Sequence, residues 1–198
     1  MIKSQYSSIF HSGKDLFDAN FLRINESNKV FNLFMGELKE LIVKTKPTAT
    51  HSFIKKLVDM KKLKRVYIQN IDNLEELVGL HIDLQFEKVK NNKAQVVQLH
   101  ATLEKLQCKV CTNIYEFMLQ YCKIFKQNKV PKCTRYEEKE NVQIEQGNCP
   151  HTIGQLNPTI ILYSDSHLKR LEINQIAAQD QHKADCLIII RPFLRIPG

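Results

Sequence analysis

The chain has 198 residues, of which 43% are hydrophobic and 25% are charged, with a formal net charge of +8. These values are typical of a globular protein that buries a core without disulfide bonds, so we expect one domain with a small inserted module. No apolar run is long enough to cross a membrane, and the first residues lack the features of a secretory signal peptide. We therefore expect an intracellular protein whose six cysteines are metal ligands or free thiols.

The positive charge is densest over residues 55–65. A basic protein favours acidic partners such as nucleic acid or chromatin, but the solvated faces of amphipathic helices give the same pattern. A nucleic-acid binder of the zinc-finger type would depend on charge and a single Cys-x-x-Cys pair. We therefore do not expect direct nucleic-acid binding.

Two helices are predicted in the N-terminal part of the chain. Apolar residues recur at helical spacing over 28–44, and Ser27 could cap this helix. Pro47 ends it, and Thr48 or Thr50 begins a second helix. The residues of the second helix predicted to point inward are Phe53, Ile54 and Leu57.

Strands and helices alternate along much of the remaining chain. Two β-branched runs, 66–68 and 96–99, are short and bounded by polar residues, as buried strands are. The alternation predicts an α/β domain with a mainly parallel sheet. After a polar stretch at 104–157 it resumes with three predicted elements: a strand over 159–163, a helix over about 167–179 and a strand over 185–190.

Polar side chains follow both of the first two strands. Gln69, Asn70 and Asp72 come after one strand, and His100 comes after the other. The carboxyl ends of parallel strands form the ligand crevice of an open α/β sheet, so these groups could converge there. Taken singly, Asn70 and Asp72 could merely cap the next helix and His100 could be a turn residue. The set in this order favours a binding cleft.

Four candidate metal ligands, Cys108, Cys111, Cys133 and Cys149, lie in the polar stretch 104–157, which has too few apolar residues to form much of a core. Cys108 and Cys111 form a Cys-x-x-Cys pair of the kind that binds zinc, and Cys133 follows. A bound metal would stabilise such a segment. The remaining two cysteines are predicted to be buried, one on a helix and one on a core strand: Cys122 and Cys186.

Several motifs in one order resemble the sirtuins, the NAD-dependent protein deacetylases. The sirtuin pattern has a strand ending in Thr-Gln-Asn-Ile-Asp and a later Leu-His-Gly, which stand here as Ile68-Gln69-Asn70-Ile71-Asp72 and Leu99-His100-Ala101. The likeness is greatest to the fungal branch that deacetylates histones. It extends through residues 12–23, 46–57, 156–165 and 185–198.

The resemblance implies a specific domain organisation. Residues 1–103 and 158–198 would form a truncated Rossmann-like domain, with a mainly parallel sheet. Residues 104–157 would form a small inserted zinc-binding module. The fold class is therefore expected to be α/β.

The resemblance also implies an NAD site and a catalytic base. His100 would be the general base that takes a proton from a ribose hydroxyl of NAD, a role that suits an imidazole because its pKa lies near neutral pH. Asn70 and Asp72 would act with it and contact the nicotinamide side of NAD, and Gln69 would contact the ribose.

The implied substrate is an acetylated protein, with histones as the candidate and the nucleus as the compartment. Ile161, Leu162 and Tyr163 match the sirtuin segment that pairs with the substrate peptide as an added strand. Main-chain pairing of this kind gives affinity with modest sequence preference.

The zinc site departs from the sirtuin pattern at one ligand. The second Cys-x-x-Cys pair of the family reads Cys133-Thr134-Arg135-Tyr136 here. Tyrosine is a poor zinc ligand, because a phenol deprotonates only near pH ~10 and its oxygen is hard. We expect Zn²⁺ held by Cys108, Cys111, Cys133 and Cys149, with His151 close behind in the sequence. The alternative is that Cys149 is a loop thiol and the site is weakened or empty.

Further departures bear on activity. The Gly-Ala-Gly-Ile-Ser turn that holds the pyrophosphate in sirtuins and the Gly-Ile-Pro-Asp-Phe-Arg loop do not occur in these 198 residues, and the family continues past the final Ile-Pro-Gly. The family's Gly-Thr-Ser-Leu is replaced by Arg191-Pro192-Phe193-Leu194. Two interpretations follow: an NAD-dependent lysine deacetylase, or a catalytically impaired sirtuin-like remnant or fragment that acts at most as an interaction module.

Overall fold

The computed structural model describes residues 14–83, 93–145, 154–165 and 169–190. Short 3₁₀ turns at Asp15–Phe17 and Phe21–Arg23 precede the first long helix. The helices are α1 Asn25–Lys44, α2 Ala49–Asp59, α3 Leu74–Leu77, α4 Leu119–Lys126, α5 Thr134–Glu145 and α6 Arg170–Gln181. The strands are β1 Val66–Ile68, β2 Val96–Gln98, β3 Lys105–Cys108, β4 Ile114–Glu116 and β5 Leu156–Pro158.

The strands form one parallel and one antiparallel sheet. β1 and β2 pair in parallel, with Ile68 opposite Gln98. β3 lies between β4 and β5 and pairs antiparallel with both. The two predicted β-branched strands are confirmed, and so is their parallel arrangement.

Helices cover both faces of the parallel pair. Successive residues of a strand point to opposite faces of its sheet. Val96 accordingly belongs to an apolar cluster with Ile54 of α2, whereas Val97 belongs to another with Ile173 and Ile176 of α6. Both valines are fully buried. This layering is that of an α/β fold, in which β-branched strands lie between helical layers.

The largest apolar cluster lies between α1, α4 and the antiparallel sheet. Met35 of α1, Phe125 of α4 and Leu106 of β3 are fully or almost fully buried in it. Phe117 and Phe125 pack edge to face, with ring centroids 5.6 Å apart. The expectation that residues 104–157 form little core is therefore wrong, because Leu106, Phe117 and Phe125 from that stretch are buried in the largest apolar cluster.

The predicted N-terminal helices are confirmed, with changes in detail. α1 begins at Asn25, so Ser27 lies inside it and is buried. Thr48 caps α2 as predicted, and its capping box pairs it with His51. The inward direction of Phe53 is wrong: its side chain is 46% exposed, while Ile54 next to it is buried.

The C-terminal strands differ from the prediction. The strand expected over 159–163 is not formed: β5 ends at Pro158, and Tyr163 forms only a single bridge with Asp18. Residues 185–190 form no strand, and Leu187 is 83% exposed. A buried parallel strand needs neighbouring strands, and in the described residues β2 pairs with the strand β1 and otherwise only through a single bridge between Val96 and Ile82. Cys186 is correspondingly exposed, contrary to the prediction, whereas Cys122 is buried on α4 as predicted.

Across the described residues no helix combines the length and apolar character needed to cross a bilayer.

The proposed boundary between a main domain and a module at 104–157 stays a prediction.

Candidate functional site

The register of β1 and β2 brings their carboxyl ends together. The N–H of Leu99 donates to the carbonyl of Ile68 at 2.8 Å, one residue beyond the paired strands. Gln69 and His100 therefore lie just after the ends of two neighbouring strands. This is the edge of the sheet where α/β proteins bind ligands.

A cleft of about 800 Å³ opens at this edge. It is lined by every predicted residue of the cofactor, catalytic and peptide sites, namely Gln69, Asn70, Asp72, His100, Ile161, Leu162 and Tyr163. The sequence placed these residues in three separate segments, and the fold brings them to one surface. Their chemical roles stay predictions.

Part of the cleft wall was missed by the sequence analysis. Phe17, Leu38 and Ile42 supply apolar wall, and Arg170 adds a cation from the start of α6. Leu38 and Ile42 were predicted only as part of the apolar face of a helix. Helical periodicity identifies such a face but not which of its residues border a cleft.

Asp72 has a structural role as well as a place in the cleft. Its Oδ1 accepts a hydrogen bond from the N–H of Leu74, at 3.3 Å, at the start of α3. Capping and cleft lining are therefore not alternatives for this residue. The next acidic residue, Glu75, is buried, with Oε1 3.6 Å from Nε2 of His51. Burial raises the pKa of Glu75, and the nearby charge of Asp72 raises it further.

The segment 161–163 is held along one side by main-chain hydrogen bonds. The N–H of Ile161 donates to the carbonyl of His100 at 3.1 Å, and the N–H of Tyr163 donates to the carbonyl of Phe17 at 2.7 Å. The intervening N–H of Leu162 has no backbone acceptor among the described residues. In extended chain successive N–H groups point to opposite sides, so the N–H of Leu162 points away from His100 and Phe17, while its carbonyl accepts the N–H of Asp165 at 3.2 Å.

Ala101, directly after His100, has a left-handed backbone with φ of 60°. This conformation costs a non-glycine residue roughly 1–2 kcal/mol, since Cβ approaches the neighbouring carbonyl. The sirtuin pattern has glycine at this position. The strain therefore lies beside the predicted catalytic base.

Three of the four predicted metal ligands form a compact cysteine cluster: Cys108, Cys111 and Cys133. Their sulfur atoms all lie within 4.8 Å of one another. Cys108 and Cys133 are buried. The backbone N–H groups of Val110 and Cys111 each donate to Sγ of Cys108 at 3.4 Å.

The geometry of the cysteine cluster fits zinc. With Zn–S bonds of about 2.3 Å, two sulfurs of a tetrahedral site are roughly 3.8 Å apart, and Sγ of Cys111 lies 3.6 Å from Sγ of Cys133. The predicted fourth ligand Cys149, and His151 behind it, lie outside the described residues. The cluster is thus a possible structural zinc site with three ligands defined.

Tyr115 supports the cluster from β4. Its hydroxyl lies 3.0 Å from Sγ of Cys133, within hydrogen-bonding distance. Burial opposes ionisation of Cys133, but the hydrogen bonds from Tyr115, the backbone of Tyr136 and the other two thiols outweigh it and lower the pKa. No local motif marks Tyr115 as part of the cluster, because its contact depends on the β3–β4 pairing.

Gly154 lets the chain pass close to the cluster. A Cβ at this position would overlap Sγ of Cys108 and lie 3.3 Å from Cβ of Cys133. The carbonyl of Gly154 accepts the N–H of Cys133 at 2.8 Å. A side chain here would displace a ligand sulfur, so the position requires glycine.

A sequence model of the Sir2 family matches residues 6–196. The chain belongs to the Sir2 family. Curated relatives include the NAD-dependent histone deacetylase HST3 of Candida albicans, 33% identical over all of this chain and 43% of the relative. Another is HST4 of Saccharomyces cerevisiae, 34% identical over 94% of this chain and 52% of the relative. The chain thus spans about half the length of the curated relatives it matches.

Solved structures of Sir2 proteins share the fold of this Sir2-family chain. A Sir2 complex with a p53 peptide and NAD aligns with a TM-score of 0.57 and 20% identity, covering 82% of this chain and 55% of that one. A Sir2 homologue bound to 2'-O-acetyl ADP-ribose aligns at 0.58 and 18%, covering 81% and 51%. Both the predicted family and the Rossmann-like α/β fold are confirmed.

Proposed function

We propose that this chain carries the catalytic cleft of an NAD-dependent protein lysine deacetylase. The observation that supports it is the single cleft lined by Gln69, Asn70, Asp72 and His100 together with 161–163. The curated relatives are named as NAD-dependent histone deacetylases. The activity belongs to proteins about twice the length of this chain, so it is a proposal here.

The polar residues divide the proposed chemistry between them. The residues of the cleft would hold NAD, which would supply a ribose carbon that can be attacked by the acetyl oxygen, with nicotinamide as the leaving group. The imidazole of His100 accepts a proton from a ribose hydroxyl. The side chains of Asn70 and Asp72 bind the nicotinamide side of NAD, and Gln69 binds the ribose. The apolar wall excludes water, which strengthens these polar contacts.

The proposed substrate is an acetylated protein, with histones as the candidate and the nucleus as the compartment. The histone assignment follows the names of the fungal relatives. A hydrogen bond from the N–H of Leu162 to an extended peptide accounts for recognition of the main chain. Solved Sir2 structures contain a p53 peptide or a propionylated peptide.

The cysteine cluster has a structural role in this proposal. Cys108, Cys111 and Cys133, with Cys149 as fourth ligand, would hold Zn²⁺ and stabilise a module formed by residues 104–157. The ion would cross-link the segments that carry these cysteines, at the edge of the largest apolar cluster, to which Cys108 and Cys133 belong.

A second interpretation is supported by one sequence feature. Arg191-Pro192-Phe193-Leu194 stands where the family has Gly-Thr-Ser-Leu, and a bulky cation and a ring lacking N–H replace small groups. This segment lies outside the described residues. The corresponding protein would be catalytically impaired and act at most as an interaction module.

Calorimetric titration of the chain with NAD tests the proposal. We expect NAD to bind, and Asn70→Ala to weaken binding at least tenfold, while Asn128→Ala, on an exposed turn, does not. His100→Ala should abolish turnover of an acetyl-lysine peptide and His182→Ala, an exposed histidine, should not. NAD binding without turnover by the parent chain would favour the impaired protein. Absence of NAD binding would refute both the cofactor and the activity.

A further inference from the structure

A buried polar network lies next to the residues that line the cleft. Its members, Asn73, Gln98 and Thr102, are 8%, 3% and 2% exposed. Oδ1 of Asn73 accepts two hydrogen bonds, one from Nε2 of Gln98 and one from Oγ1 of Thr102 at 2.9 Å. None of the three lines the cleft, so the proposed chemistry gives them no role.

The network joins the chain segments that carry the predicted site. Asn73 directly follows Asp72, and Gln98 and Thr102 lie two residues before and two residues after His100. The carbonyl of Thr102 also accepts a hydrogen bond from Oγ1 of Thr159 at 3.0 Å, just ahead of the segment 161–163. We call Gln69–Asp72 the cofactor segment, the residues around His100 the base segment, and 161–163 the peptide segment. Oδ1 of Asn73, directly after the cofactor segment, hydrogen-bonds to both sides of the base segment.

Two main-chain hydrogen bonds report on the same arrangement. The N–H of Leu103 donates to the carbonyl of Ile71 at 3.0 Å, and the N–H of Ile161 donates to the carbonyl of His100 at 3.1 Å. The first ties the base segment to the cofactor segment, and the second ties it to the peptide segment. Both should weaken if these segments separate.

The backbone conformation of Asn73 allows its side chain to be removed without changing the path of the chain. Its φ is 57°, in the left-handed region, which glycine adopts freely and asparagine more readily than most residues. Glycine would keep the backbone but remove the acceptor. The donors of Gln98 and Thr102 would then be buried without their partner, which is costly.

We propose that Asn73 is a positioning residue: its side-chain oxygen fixes the Gln69–Asp72 segment relative to the segment that carries His100. The catalytic meaning of this position depends on the proposed function. The positional effect itself does not, because it concerns hydrogen bonds within the chain.

Amide hydrogen exchange by NMR tests the inference with a matched pair of variants. Asn73→Gly removes the shared acceptor, whereas Asn128→Gly makes the same change at an exposed asparagine with φ of 55°. We expect the Leu103 and Ile161 amides to exchange at least tenfold faster in Asn73→Gly than in Asn128→Gly. The Cys108 amide, which donates to the carbonyl of Asn113 at 2.9 Å, should exchange equally in both.

A second pair keeps the test decisive if Asn73→Gly does not fold. Thr102→Val removes the donor to Asn73, and with it the acceptor of the Glu104 N–H, with little change of shape. It should accelerate the same two amides, while Thr102→Ser restores the hydroxyl and should return them to the parent rates. Equal rates at Leu103 and Ile161 in both glycine variants, or an acceleration shared by Cys108, would overturn the inference.

Cofactor titration separates the inference from the proposed function. Where the parent binds NAD, Asn73→Gly should weaken binding at least tenfold relative to Asn128→Gly, and unchanged affinity would overturn the catalytic part. Where the parent does not bind NAD, the proposed function fails. The exchange rates still decide whether Asn73 positions the segments.

Discussion

Replacing Asp180 with Asn should destabilise the protein strongly, because the carboxylate pairs with a buried guanidinium. Oδ2 of Asp180, near the end of α6, lies 2.5 Å from Nε of Arg65 and accepts a hydrogen bond from the hydroxyl of Tyr67 at 2.7 Å. The side chains of Arg65 and Asp180 are only 5% and 10% exposed. The variant would leave the guanidinium buried without a counter-charge.

Removing one partner of a buried ion pair costs roughly 3–5 kcal/mol. The asparagine can still accept the hydroxyl of Tyr67, and Arg65 also donates to the carbonyl of Ala94, so we expect a loss of about 2–4 kcal/mol. At roughly 2–4 °C per kcal/mol for a protein of this size, the melting temperature should fall by about 4–16 °C.

Urea unfolding followed by circular dichroism measures this loss, with Asp59→Asn as the control. Asp59 pairs with Lys55 on the surface of α2 and its side chain is 58% exposed, so its loss should cost at most about 0.5 kcal/mol. Equal losses in the two variants would refute the reasoning that burial makes the Asp180 pair important.

The pH dependence gives an independent check on Asp180. Burial opposes its ionisation, but the hydrogen bonds and charges of Arg65, Tyr67 and Lys64 outweigh burial and lower the pKa. A lowered folded-state pKa stabilises above the unfolded value, about 3.9, and the stabilisation is lost as the pH falls through the folded value. The difference in unfolding free energy between parent and variant should therefore be constant near neutral pH and shrink only in acid.

Three further predictions concern the strained turn and the cysteine cluster. Ala101→Gly should relieve the left-handed strain of roughly 1–2 kcal/mol, offset by about 0.5–1 kcal/mol of glycine entropy, and so raise the unfolding free energy slightly; a decrease in urea titration would contradict the strain. Cys133→Ser should lower the zinc content per chain, measured by atomic emission, whereas Cys186→Ser, at an exposed thiol, should leave it unchanged; equal zinc in both would argue against the site. Gly154→Ala should also lower zinc content, because its Cβ would overlap a sulfur of the cluster, while Gly36→Ala, whose Cβ would meet its neighbours at 3.5 Å, should not; normal zinc in Gly154→Ala would show that the chain can move aside.

Local chemistry made the cleft predictable. The strands at 66–68 and 96–98 are short β-branched runs bounded by polar residues, and the parallel order of an α/β sheet places Asn70 and His100 at one edge. The cysteine spacing likewise identified Cys108 and Cys111. Each of these features was predictable because the residues that form it are close together in the sequence.

Features that depend on distant contacts were not predictable in this way. Phe53 and Ile54 are both apolar, and only the packing of α2 decides which one is buried. The run 185–190 has strand composition but no adjacent strand in the described residues. The hydrogen bond of Tyr115 to Cys133 and the network of Asn73 join residues that are 18 and 25–29 positions apart, and no local motif marks them.

The hydrogen bond from the N–H of Ile161 to the carbonyl of His100 couples the position of the proposed base to the position of the segment proposed to bind the substrate peptide. In the proposed function, any change that shifts the main chain at Ile161, such as a proline that lacks the N–H, would also move the base. Side-chain changes at Leu162 or Tyr163 leave that hydrogen bond in place. Engineering of acyl-peptide preference should therefore begin at these two positions, where recognition can vary without disturbing proton transfer.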